Sequence, residues 1–329
     1  LTVSADGTAK IWETGTGKLL LDLKKKGEGE NMPVVNAWFT PDGNSLFVYH
    51  VMGGITRLVQ LKTGQNWNGD SLTPPARIQQ FSRDGKNYIS GGEIFDTKNM
   101  RFLTRLKGIE AYISFEGYSP SGKTIIACTQ NEKTFQSYLR SFNSKTGLPL
   151  TPGIPLQQQP NEIRFSLNGQ RLILEYDSAI SITDANTLKQ IQSIGIRTLD
   201  ATGRQEKYII SSGADYLLQL SGKIYTDSSG EYPEEKPDYD SVILKDIKTQ
   251  KTILTRSGLH FNSTEQYDLF SPDGKTLLLP FADSTLQTIS LSTGQTLLTI
   301  KSWSGTIDLA RFSPDGKYIL TVTPDHIIR

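Results

Sequence analysis

One six-residue phrase recurs along this chain at nearly even steps: FTPDGN (residues 39–44), FSRDGK (81–86), YSPSGK (118–123), FSLNGQ (165–170), and FSPDGK at 270–275 and again at 312–317. With a degenerate ATGRQ (201–205) filling the gap, its glycines fall at 43, 85, 122, 169, 203, 274 and 316, in steps of 42, 37, 47, 34, 71 and 42. All steps but the long one scatter around one period. Such a period restricts the chain to architectures that use one small supersecondary unit over and over.

The phrase reads as a hairpin turn. An aromatic ends one strand, Pro or a polar residue enters the turn, Asp or Asn caps it, and Gly takes the left-handed conformation before the next strand begins. β-rich runs follow, such as TIIACT (124–129), RLILEY (171–176) and YILTV (318–322), and their unbroken apolar character predicts strands buried on both faces. A second turn family lies one strand later, in TGTGK (14–18), KTGQ (62–65), SKTG (144–147), DANT (184–187) and STGQ (292–295), ahead of short strands such as KLLLDL (18–23) and TLLTI (296–300). Each unit is therefore four short strands, a to d, without helical periodicity. A four-stranded unit of about 40 to 45 residues repeated around a ring is the pattern of a β-propeller blade.

Composition agrees with an all-β chain and excludes several functions. Of 329 residues, 36% are hydrophobic and 21% charged, with 29 Gly and 15 Pro, which fits a turn-rich globular chain. Lys and Arg number 35 against 34 Asp and Glu, a formal charge of +1, so no global field draws in nucleic acid or an anionic membrane. Cys128 is the only cysteine; it rules out an internal disulfide and a cysteine-based zinc site, and fits a reducing, cytoplasmic compartment. No apolar run approaches the roughly 18 residues of a spanning helix. The chain opens at Leu1 without a methionine, and the expectation is that it forms part of a longer multidomain protein.

SADGTAKIWETGTGKLL (residues 4–20) and the two FSPDGK phrases resemble WD40 repeats of the bacterial type, which carry Ser-x-Asp-Gly-Thr, a Trp-Asp-like dipeptide and Thr-Gly-Lys in that order. The resemblance covers nearly the whole chain. Only Trp12-Glu13 approximates the Trp-Asp dipeptide; later units carry Phe95-Asp96, Thr183-Asp184 and Lys245-Asp246, and no Gly-His dipeptide occurs. The hydrogen-bond network of the family is thus partial, with Ser4, Asp6 and Trp12 its recognisable members. The resemblance implies a ring whose sequence repeats run d-a-b-c, out of phase with the blades. Seven such repeats run from residue 18 to residue 329. The expected fold is an all-β, WD40-like propeller of seven four-stranded blades over residues 18–329, closed by the strand at 18–23, with residues 1–17 an extra hairpin and turn. An incompletely closed ring of eight blades is the alternative.

Sites of chemistry are scarce. GYSPSGKT (117–124) satisfies the phosphate-loop pattern G-x-x-x-x-G-K-[ST]. That chemistry needs a helix to follow, whereas TIIACT is a strand in register with the other turns, so the segment reads as one more hairpin. The three histidines, His50, His260 and His326, fall in separate units. No catalytic, metal or cofactor site is assigned. A propeller hydrolase or sensor with a site at the central channel is the alternative class, and Asp177, Asp215 and Asp283, placed in b–c loops, are its only hints.

The resemblance instead implies a non-catalytic scaffold that binds a protein or peptide through the face carrying the b–c and d–a loops. The largest departure from the period is residues 212–241, read as an insertion between strands b and c of the fifth unit. It combines Tyr225, Tyr232 and Tyr239 with Glu231, Glu234, Glu235, Asp238 and Asp240. Aromatic area beside carboxylates reads as a recognition loop for a basic or amide-rich partner; a solvated, partly disordered excursion is the weightier reading on composition. Trp67 and Trp303, in d–a connections, are the remaining candidates for the binding face, against the alternative that they pack on a neighbouring blade.

Overall fold

The computed structural model describes residues 1–3, 8–22, 34–40, 42–50, 56–62, 66–69, 80–99, 101–109, 111–227, 234–261, 269–302, 305–307 and 309–323. Among them there is no α-helix; 27 strands form eight small sheets. The first sheet holds β1 (Thr2–Val3), β2 (Ala9–Trp12) and β3 (Leu19–Asp22). The second is β4 (Val34–Phe39), β5 (Ser45–His50), β6 (Thr56–Gln60) and β7 (Asn66–Gly69). The third is β8 (Asn87–Ser90), β9 (Glu93–Asp96) and β10 (Phe102–Arg105), with a lone bridge from Phe81 to Tyr88 ahead of it. β11 (Tyr112–Tyr118), β12 (Thr124–Gln130), β13 (Ser137–Asn143) and β14 (Ile154–Leu156) make the fourth. The fifth is β15 (Glu162–Phe165), β16 (Arg171–Glu175), β17 (Ala179–Asp184) and β18 (Gln190–Gly195). The sixth, with the longest strands, is β19 (Gln205–Ile210), β20 (Tyr216–Asp227), β21 (Glu234–Asp246) and β22 (Thr252–Phe261). β23 (Thr276–Pro280), β24 (Thr285–Ser290) and β25 (Thr296–Lys301) form the seventh, and β26 (Leu309–Phe312) with β27 (Ile319–Val322) the last.

Strand order within every sheet follows chain order, so each sheet is a meander of hairpins. The strand after most of these turns is buried on both faces: five successive residues of β12, three of β16 and four of β23 are buried, whereas β27, the last, has none. Burying Ile125 and Ile126, both 0% exposed, contributes about 1.5–3 kcal/mol each. The last strands, such as β18 and β25, are mostly exposed.

Each turn is held by its own residues. In the third sheet the Ser82 hydroxyl donates to Asp84 at 2.7 Å and accepts from the Asn87 amide at 2.9 Å, while Asp84 accepts from the Lys86 amide. The hydrogen bond from Ser82 is the main reason the Asp84 carboxyl lies below its usual range. The same pattern recurs at Ser166/Asn168, Ser271/Asp273 and Ser313/Asp315. The segment at 117–124 is such a turn: Gly122 N–H donates to Ser119 C=O, Ser119 N–H donates to Thr124 C=O, and β12 starts at Thr124. With no helix there, the phosphate-loop chemistry is absent from it.

The chain divides into two compact units, residues 1–165 with 184–189, and residues 166–183 with 190–329. In the first, Phe47, Phe81 and Tyr88 stack with ring centroids 5.3–5.4 Å apart, and Ile89, Ile94, Ile125 and Phe142 pack in a separate cluster. The second unit's largest cluster is built on Leu218, Leu220, Val242, Leu244, Leu277, Leu278 and Leu279.

Several expectations change. Seven four-stranded blades meet eight sheets, four of which have four strands among the described residues. The boundary drawn at 17 and 18 falls in the turn joining β2 to β3, which pair with Lys10 opposite Asp22; β3 (Leu19–Asp22) thus stands in the first hairpin's own sheet. Trp12 donates its indole N–H to Thr2 at 2.9 Å; Ser4 and Asp6 lie outside the described residues. The sixth sheet's first turn is residues 211–216, not 201–205: Ala214 N–H donates to Ser211 C=O, the Ser211 hydroxyl accepts from the Tyr216 amide, and Ala214 takes the left-handed place with φ of 60°. Alanine tolerates that conformation at a modest cost, so the turn's glycine, Gly213, stands one place before the left-handed position instead of at it. Asp215 therefore sits in an a–b turn, where it pairs with Arg171 at 2.9 Å.

Candidate functional site

With the turn relocated, the insertion resolves into strand. β20 and β21 pair without a break from Tyr216 opposite Asp246 to Asp227 opposite Glu234, apart from one bulge at Ser221/Gly222. Their neighbours stop early: β19 ends its pairing at Gln205 opposite Gly222, and β22 at Phe261 opposite Tyr239. Beyond those points the ribbon is two-stranded among the described residues, so 223–227 present an outer backbone edge without a strand partner. Within the insertion, residues 212–227 and 234–241 are described and are carried mainly by these long paired strands; residues 228–233 lie outside the described residues.

The base of this ribbon is anchored. Tyr239 is 3% exposed and packs with Leu220 and Leu259, and burial raises its phenol above the usual range. Gly222 sits where a Cβ would meet Asp238 C=O at 2.1 Å, so only glycine lets the strands cross at the bulge. Arg204 donates to Asp240 and to the Ser221 hydroxyl, and His260 Nδ1 lies 3.0 Å from Asp238. The tip differs: Lys223, Ile224, Tyr225 and Thr226 are exposed, Ile224 at 41% and Tyr225 at 39%. Successive residues of a strand point to opposite faces, so an apolar side chain is displayed on each face of the ribbon.

The candidates therefore separate. Tyr225 is displayed and Tyr239 is a packing residue. Glu234 and Glu235 stand in β21 opposite Asp227 and Thr226. Tyr232 and Trp303 lie outside the described residues. Trp67 stands within β7, opposite Leu58, and not in a connection, because residues 66–69 pair with β6. Asp177 and Asp283 lie in b–c loops as expected, and the Asp283 carboxylate is taken by the backbone and hydroxyl of Thr285. Among the described residues no group of three or more His, Cys, Asp or Glu side chains is placed to hold a metal ion.

Sequence reasoning missed Glu116, which stands in the apolar β11. It is 8% exposed, and its two carboxylate oxygens accept the amides of Gly91 and Gly92, 2.7 Å each, in the β8–β9 turn. Burial raises its carboxyl above the usual range and outweighs the opposing hydrogen bonds from Gly92, Gly91 and Gln80. The residue ties the third sheet to the fourth. Its only signal in sequence is one carboxylate inside ISFEGY.

No family model matches the chain, and no curated protein matches it. Among solved structures it is similar to the computationally designed Ika8 protein, at 14% identity and a TM-score of 0.49, over 99% of this chain and 90% of that one.

Proposed function

We propose that this chain is a non-catalytic scaffold, a degenerate WD40-like β-propeller of seven blades by the repeat count or eight by the alternative, that binds a protein partner through the face carrying the b–c and d–a loops. The repeated Ser-x-Asp-Gly turns, the doubly buried second strands and the Trp12–Thr2 hydrogen bond support the propeller reading. The observation that carries the binding reading is the β20–β21 ribbon, which projects past its sheet with an open edge at 223–227 and displays Ile224 and Tyr225.

Residues 223–240 hold six carboxylates, Asp227, Glu231, Glu234, Glu235, Asp238 and Asp240, against Lys223 and Lys236. The fitting partner is a basic, extended segment that adds a strand to the ribbon edge, with main-chain hydrogen bonds for affinity and the aromatic tip for selectivity. A ribbon whose two strands are already paired incurs less ordering cost on binding than an unpaired loop would.

The test replaces residues 224–237 by an Asn-Gly turn, which leaves the Lys223–Asp238 pair to close the hairpin. Partners captured by the full chain and by the shortened one are then identified and compared. Loss of a partner that has a basic extended segment, with capture weakening as salt rises, is the expected result. An unchanged partner set would remove the ribbon from the binding face.

A further inference from the structure

We infer that the open edge of the β20–β21 ribbon pairs with the same edge of a second copy of this chain, giving a two-fold dimer whose β20 strands run antiparallel. The inference rests on the reading of that edge as a strand acceptor, and it names the occupant when no basic segment is bound. The two outer edges of the ribbon are not alike. Along β21, residues 234–238 read Glu-Glu-Lys-Pro-Asp. Charges, and a proline with no N–H for a ladder, are what keep an edge strand from pairing. Along β20, residues 223–227 read Lys-Ile-Tyr-Thr-Asp. Ile, Tyr and Thr favour strands, and residues 223–226 are exposed. One end of this open length is fixed, because Gln205 of β19 already stands opposite Gly222.

Those five residues complement themselves. With two copies antiparallel and residue 225 on the two-fold axis, residue 223 of each stands opposite residue 227 of the other, 224 opposite 226, and 225 opposite itself. A lysine position therefore meets an aspartate position twice in the dimer, and Ile meets Thr twice. Alternate residues share a face, so the tyrosine pair falls between the two charge pairs on one face and the Ile–Thr pairs fall on the other. Aromatic, β-branched and opposite-charge pairs placed directly across an antiparallel ladder each stabilise it. Other registers lose these pairs. An axis at residue 224 sets the second strand against Gly222, which β19 covers, and an axis at residue 226 takes Lys223 away from Asp227.

The same charge spacing occurs in Lys-Leu-Leu-Leu-Asp at residues 18–22. There Lys18 belongs to the turn, with its carbonyl accepting from Glu13 N–H, and only residues 19–22 are strand. A ladder on that edge would hold no complete charge pair, so it serves as the internal control. On the ribbon all five residues lie within β20, beyond the last pairing of β19 and β22. The resulting interface is isologous, one patch meeting its own copy. It is also small, which makes the dimer weak and lets a better-matched segment displace the second copy.

The experiment sediments the full chain from about 10 μM to about 1 mM, the range in which so small a contact would form, and a reversible monomer–dimer equilibrium is expected. Asp227→Lys and Lys223→Glu each place like charges opposite one another twice, so each alone weakens association by about tenfold. Mixed in equal amounts, the two variants associate again, because every lysine then meets a carboxylate; recovery also shows that neither has unfolded. Thiol linkage reads the register. Cys128 is buried, so introduced cysteines report alone. Under oxidised glutathione Tyr225→Cys links to itself, since directly opposite Cα atoms lie about 4.5–5.5 Å apart, within the reach of a disulfide. Ile224→Cys links to Thr226→Cys about tenfold faster than either links to itself. A monomer at every concentration, no recovery on mixing, or linkage of Leu20→Cys in place of Tyr225→Cys overturns the proposal. A monomeric chain that still loses its basic partner when the ribbon is shortened overturns self-pairing alone. A dimer linked through Tyr225→Cys with an unchanged partner set supports self-pairing and removes the basic segment.

Discussion

Alanine at Gly147 and alanine at Gly122 look alike in sequence, since both glycines end a turn with positive φ, 67° and 71°. They should differ in effect by several kcal/mol. At Gly122 a Cβ meets nothing nearer than Arg83 N at 3.8 Å, so alanine incurs only the left-handed backbone cost of about 1–2 kcal/mol. At Gly147 the same Cβ would fall 1.9 Å from the Arg105 carbonyl oxygen and 2.8 Å from its carbon. Relief requires the third and fourth sheets to part there, which also breaks the bond from Lys107 N–H to Gly147 C=O, now 2.8 Å. Overpacking of about 1–3 kcal/mol, a lost hydrogen bond of about 1 kcal/mol and the backbone cost add to about 4 kcal/mol. Because the chain divides into two compact units, a single melting temperature is a poor readout. Amide hydrogen exchange at Lys107 reports the local opening directly. Gly147→Ala should speed that exchange by about a thousandfold, whereas Gly122→Ala should leave it within a few fold. Equal exchange at Lys107 in the two variants would refute the claim that close approach of the sheets, rather than backbone conformation, requires glycine at 147.

At Ala214, glycine would relieve about 1 kcal/mol of left-handed strain but remove a fully buried methyl worth about 0.8 kcal/mol; amide exchange at Ala214, whose N–H donates to Ser211 C=O, should therefore change by only a few fold, and a larger change contradicts the balance. Glu116→Ala leaves the amides of Gly91 and Gly92 without acceptors and should cost about 3 kcal/mol, read as loss of exchange protection at Gly92. Since the folded Glu116 carboxyl is raised, its contribution is fully present below the ordinary glutamate range and is lost as pH rises through the raised value. The stability of the native chain relative to Glu116→Gln should therefore fall across that window, and a difference independent of pH contradicts the assignment. At the ribbon base, Tyr239→Ala should destabilise by about 3–5 kcal/mol as a core truncation. Tyr225→Ala should change stability by less than about 0.5 kcal/mol; urea unfolding of both variants separates anchor from display.

Legibility in the sequence followed the range of the interaction. The Ser-x-Asp-Gly turns were readable because serine, aspartate and the amides that bind them lie within five residues of one another, as Ser82, Asp84 and Asn87 do. Doubly buried strands such as β12 were readable because both faces are apolar in TIIAC. The turn at Ala214 escaped because left-handed geometry belongs to the backbone and alanine can adopt it. Trp67 was misplaced because NWNG has little strand propensity and becomes a strand by pairing with β6.

The amino-acid sequence alone determined the all-β class, the repeat and the local turn chemistry, since each rests on contacts between near neighbours. Tertiary structure decided the rest. It made residues 223–227 and 234–238 a ribbon by pairing them across their connection, buried Tyr239 while exposing Tyr225, and set Glu116 against the glycines of another sheet. Those outcomes depend on which surfaces meet after the turns have formed, and the free energy of such contacts is set by distance and burial that no local pattern encodes.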